Sequence, residues 1–117
     1  MIRPLIVQPM LLWWIAAFDL RDGPIGAGDT AEEARANLIV RIAHAEPRDL
    51  RGALGELATP GEILGAVKQI RTMIRELELD VELARVSCNM PNWLHHQNSI
   101  SHWRQVINKL SYIAGQL

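Results

Sequence analysis

Cysteine occurs once in the 117 residues, at Cys88. No internal disulfide can form, and a reducing, cytoplasmic setting is the expectation. Charge of one sign is also lacking: 12 Lys and Arg stand against 13 Asp and Glu, a formal net charge of −1. That balance gives no overall field for nucleic acid or for an anionic membrane. Long hydrophobic runs are absent as well. The unbroken run Met10–Phe18 is too short to cross a bilayer, and the N-terminal stretch lacks the basic region and small-residue cleavage pattern of a signal peptide. Neither Cys-x-x-Cys, His-Glu-x-x-His, a dinucleotide fingerprint nor a P-loop lysine occurs.

What is present is the composition of a folded domain. Apolar residues make up 49% and charged residues 21%, enough to bury a core without disulfide or metal staples. We expect one domain over residues 1–117, with a strand-turn-strand-helix half (1–46) and a mainly helical half (47–117). Continuous rather than alternating hydrophobicity in Met10–Phe18 predicts a buried strand with both faces covered, by helices or by a second chain. Asp19-Leu20-Arg21-Asp22-Gly23-Pro24 supplies turn chemistry, and Ile25–Gly28 a short return strand. Thr30-Ala31-Glu32-Glu33 is a capping box that starts a helix over 30–45, ended by Pro47. Turn geometry accounts for Gly23, Gly26 and Gly28.

The run Trp14-Ile15-Ala16-Ala17-Phe18-Asp19-Leu20, followed by Gly28-Asp29-Thr30-Ala31-Glu32-Glu33-Ala34, resembles the N-terminal pattern of HicB-like antitoxins. It is also similar to small phage-encoded proteins built on the same hairpin and helix. The resemblance covers residues 13–38. It implies a protein that works by binding another protein, with a nuclease or nucleic-acid-processing complex as the target and a phage or mobile element as the source. Arg21-Asp22-Gly23-Pro24 replaces the family's Pro-Gly-Cys turn, and no ribbon-helix-helix or helix-turn-helix reader follows.

Beyond Pro47 the pattern is helical. Arg48–Ala58 predicts a short helix weakened by Gly52 and Gly55. Thr59-Pro60-Gly61-Glu62 is a second capping box with proline at its favoured position. From it, Ile63, Val67, Ile70, Ile74, Leu77, Val81 and Ala84 repeat at four and three, a helix–helix seam. Residues 77–83 also alternate as a strand would; helix formers dominate, so helix is the reading and a sheet-edge strand the alternative. After Asn89-Met90-Pro91, a second seam runs through Trp93, His96, Ile100, Trp103, Ile107, Leu110, Ala114 and Leu117. The predicted fold is therefore α+β: a short antiparallel sheet (about residues 4–28), a packed helix (30–45) and a C-terminal helical hairpin (60–88 and 92–116). The seams serve either internal packing or a homodimer, and both stay open at this stage.

No catalytic, cofactor or metal site is expected. Cys88, His95, His96 and His102 match no ligand spacing, and Cys88 reads as a small buried residue at a helix end. Asp19, Asp22, Asp29 and Glu33 could gather a divalent ion, but turns and caps already account for them. From Pro91 to Leu117 the only full charges are Arg104 and Lys109, accompanied by aromatics and polar residues. Interfaces favour arginine and aromatics over acids, so Trp93, His95, His102, Arg104, Lys109 and Tyr112 are the candidate partner-binding residues. The functional expectation is a non-enzymatic inhibitor that binds and occludes a nuclease or defence complex, of the anti-CRISPR kind, with no cofactor and no membrane or direct nucleic-acid partner. The alternatives are a HicB-like antitoxin binding a toxin, a dimeric scaffold protein and a metal-dependent nuclease.

Overall fold

The computed structural model describes residues 5–45 and 47–116. Three strands, β1 (Ile6–Pro9), β2 (Trp14–Ala17) and β3 (Ile25–Gly28), form an antiparallel sheet in that order. Helices α1 (Ala31–His44) and α2 (Leu50–Leu54), a 3-10 turn (Gly55–Leu57), α3 (Pro60–Val86) and α4 (Met90–Gln116) follow. The α+β architecture and the C-terminal helical hairpin are as the sequence predicts, and residues 77–86 are helical. The predicted start at Pro4 and the seam position Leu117 lie outside the described residues.

The reading of the first strand is corrected. Met10–Phe18 is not a single buried strand: β2 begins at Trp14, and residues 10–13 form the loop of a β1–β2 hairpin, closed by the Met10 amide donating to the Trp13 carbonyl at 2.6 Å. Leu11 and Leu12 are 95% and 87% exposed. A two-residue hairpin turn normally uses Asn, Asp or Gly; this one has none, so the reversal is not announced in the sequence.

Register places Val7 opposite Ala16 opposite Gly26, and Pro9 opposite Trp14 opposite Gly28. These residues share one sheet face, and α1 lies on it. A methyl at Gly26 would collide with the Ala34 carbonyl and the Leu38 backbone, and one at Gly28 with Glu33 and the Ala34 amide. The two glycines therefore let helix and strand meet backbone to backbone; turn geometry explains Gly23, at φ +105°, but not them. Asn37 on α1 donates to the Ala27 carbonyl, further tying the helix to β3.

Both helix starts cap as predicted, with different uses of the acid. Thr30 Oγ1 accepts from the Glu33 amide at 3.1 Å, and the Glu33 carboxylate reaches back to the Asp29 amide at 2.8 Å. Thr59 Oγ1 accepts from the Glu62 amide, whereas the Glu62 carboxylate turns to Arg35 of α1 at 2.9 Å. That half-buried pair sets the N-terminal half of α3 against α1. The core beneath combines Leu38, Ile39 and Ile42 of α1 with Leu54, Leu57, Ile63, Val67 and Ile70, and with Val106, Leu110 and Ile113 of α4. The heptad seam is thus internal, between α3 and α4.

The turn between the two long helices is a Schellman motif. The Asn89 amide donates to the Ala84 carbonyl at 2.9 Å and the Cys88 amide to the Arg85 carbonyl at 3.2 Å. Cys88 occupies the left-handed position at φ 55°, alone among the described non-glycine residues. It is exposed rather than buried, which corrects the sequence expectation. Asn89 then caps α4, its Oδ1 accepting from the Asn92 amide.

Candidate functional site

The C-terminal half of α4 runs beside the end of α1 and beside α2. Between them lies an open groove of about 560 Å³, lined by Pro47, Arg48, Leu50, Arg51, Lys109, Tyr112 and Ile113. Local chemistry explains how each wall is built. Pro47 stops the chain from continuing α1, and Asp49 Oδ1 accepts from the Gly52 amide at 3.0 Å to start α2, which projects Arg51. On the other wall Leu110 and Ile113 are buried in the core. Their anchoring turns Lys109 and Tyr112 toward the opening, one residue back along the helix from each.

Among the described residues the lining holds three cations and no carboxylate, and Tyr112 is 68% exposed. Arg51, Lys109 and Tyr112 are presented by helices over a packed base, so little ordering of their backbone is needed on binding. Nearly two turns back along α4, the His44 ring stacks on Trp103 with centroids 5.0 Å apart and planes at 22°. His44 Nδ1 lies 3.0 Å from His102 Nε2. This aromatic cluster joins the end of α1 to α4. A smaller hollow of about 180 Å³, lined in part by Phe18, Pro24, Ile42 and Ala53, shares Pro47 with the groove.

Of the six candidate residues from the sequence, Lys109 and Tyr112 stand together in the groove and His102 lies beside it. The other three are elsewhere. Trp93 is half-buried, and His95 is exposed with its ring 5.6 Å from that of His96. Arg104 pairs across the seam with Glu78 at 3.3 Å. Near the far end of the hairpin the Arg85 guanidinium, by hydrogen bonding, holds the Glu82 carboxyl below the usual carboxylate range. Both pairs are well exposed and add little to stability.

Arg48, Arg51 and His44 were not singled out in the sequence, because they lie more than 50 residues before the α4 residues they meet and only the tertiary fold brings them there. Asp19 and Asp22 lie before β3, and Asp29 and Glu33 after it. A four-residue strand separates the two pairs by about 13 Å, so they do not converge on one ion. Among the described residues no group of three or more His, Cys, Asp or Glu could hold a metal ion. None of the helices among them is long and apolar enough to cross a membrane.

No family model, curated protein or solved structure matches this chain. The functional reading therefore rests on the residues themselves.

Proposed function

We propose that the chain is a non-enzymatic protein-binding inhibitor whose α1–α2–α4 groove receives an acidic segment of its partner. The observation that carries this reading is the gathering of Arg48, Arg51 and Lys109 around the exposed Tyr112, in a chain whose overall charge is −1. In a nearly neutral protein such a cluster marks a place rather than a general field. Arginine and tyrosine are the side chains that carry most binding energy at protein interfaces. Three lining cations fall short of the six to ten phosphate contacts typical of duplex binding, which favours a protein over nucleic acid.

The finer identity of the partner rests on the resemblance of residues 13–38 to HicB-like antitoxins and small phage proteins. It supports a nuclease or nucleic-acid-processing complex as the target, occluded in the anti-CRISPR manner. Such a protein would be encoded by a phage or mobile element and act in the cytoplasm. Antitoxin-like binding of a toxin uses the same surface chemistry and differs only in the partner.

Affinity capture tests the reading. Immobilised wild-type chain should retain a stoichiometric protein from host lysate, and the Arg48→Glu/Arg51→Glu/Lys109→Glu variant should lose it. Retention of nucleic acid alone, or capture indifferent to the triple reversal, contradicts the proposal.

A further inference from the structure

The β1–β2 hairpin contains no charged residue from Leu5 to Phe18, and among the described residues α1 is the helix that packs on one of its faces. Val7, Trp14 and Ala16 turn toward α1 and join the core. The opposite face carries Ile15 and Ala17, buried at 8% and 0%, which the register flanks with Gln8, Ala27, Ile6 and Ile25. These four are each partly exposed, and α1 is the one helix that packs substantially on the sheet. At the end of the hairpin the loop projects Leu11 and Leu12 at 95% and 87% exposure, with Met10 and Trp13 beside them at 41% and 47%. Leucine is neither a favoured turn residue nor at home in water, so folding alone gives no reason for either.

We infer that the Met10–Trp13 loop forms the contact with a second copy of the same chain. Two observations select that occupant. A two-fold interface sets a patch against itself, so any charge within it would meet its like; this hairpin has none to meet. The four loop side chains expose on the order of 500 Å² of largely apolar surface, near the top of the range for monomer patches. Two copies would bury roughly 1,000 Å² from the loops alone, which is where specific interfaces begin.

The outer edge of β1 is not the contact. Pro9 cannot donate, so its pair with Trp14 is a non-hydrogen-bonded one, and alternation along the ladder turns Val7 and Leu5 outward with it. The Leu5 amide is taken by Glu56 Oε2 at 3.3 Å. Proline and this hydrogen bond leave Val7 as the lone outward donor of β1, too little to template another strand.

Sedimentation velocity on the full chain, across a concentration series reaching the hundred-micromolar range and with reductant present to keep Cys88 from cross-linking, tests this inference. Wild type should sediment at twice its 13.2 kDa chain mass. Leu11→Asp/Leu12→Asp should be monomeric, with self-association weakened by more than about a hundredfold and an unchanged far-UV spectrum. Leu79→Asp/Leu83→Asp, placed on exposed positions of α3, should remain dimeric. If the aspartates unfold the chain, Leu11→Asn/Leu12→Gly replaces them with residues that a tight hairpin turn favours and should give the same monomer. A monomeric wild type, or a dimer that survives either loop variant, overturns the inference. Since none of these substitutions touches the groove, that result leaves the protein-binding reading to its own test.

Discussion

His44 Nδ1 in the last turn of α1 and His102 Nε2 on α4 stand 3.0 Å apart, although 58 residues separate them in the chain. The His44 ring also stacks on Trp103. The pair fastens the helix that carries the sheet to the helix that carries Lys109 and Tyr112, so it fixes one wall of the groove relative to the other. A double-mutant cycle on His44→Ala and His102→Ala should return a coupling of about 0.5–1 kcal/mol in urea unfolding. Additive single-mutant losses would mean that the contact does not hold the helices together.

Gly26 carries the close approach of α1 to the sheet. Gly26→Ala should cost about 3 kcal/mol or more, because the methyl meets backbone atoms of Ala34 and Leu38 that cannot move aside singly. Gly65, inside α3 with open space around it, is the contrast. Gly65→Ala should stabilise by roughly 0.5–1 kcal/mol through helix propensity. Thermal unfolding of the two variants gives opposite signs if the packing described is right.

Cys88 sits where a Schellman motif normally places glycine. Cys88→Gly should stabilise the chain by about 1 kcal/mol by relieving the left-handed backbone, whereas Cys88→Ala should not. Chemical denaturation under reducing conditions separates the two.

The two threonine caps should differ in how much else depends on them. Thr30→Ala and Thr59→Ala should each cost about 1 kcal/mol. Glu62→Gln should add a loss that Glu33→Gln does not share, since the Glu62 carboxylate pairs with Arg35 between helices while Glu33 serves only its own helix start. Equal losses for the two glutamines would contradict that division.

The parts of the fold written into short stretches were legible in the sequence. Thr30 with Glu33, Thr59 with Glu62, and the repeat from Ile63 to Ala84 each encode local physics, and each appears where expected. The β1–β2 turn was not legible, because Met10-Leu11-Leu12-Trp13 contains none of the residues that mark a reversal and reads as part of a strand. Gly26 and Gly28 were misread for a related reason: what they accommodate is another element's backbone, which one-dimensional spacing does not show. The candidate site was half visible. Lys109 and Tyr112 stood out in an acid-poor helix, but the groove also needs Arg48 and Arg51, whose positions depend on how α2 docks.

The central claim is that the groove binds a protein partner through its cations and Tyr112. Titration calorimetry of the captured partner against wild type, Arg51→Glu and Tyr112→Ala, at low and at high salt, tests it most directly. The account predicts at least about tenfold weaker binding for each variant, and a salt sensitivity for wild type that Arg51→Glu reduces. Equal affinities across the three proteins, unmoved by salt, would contradict it.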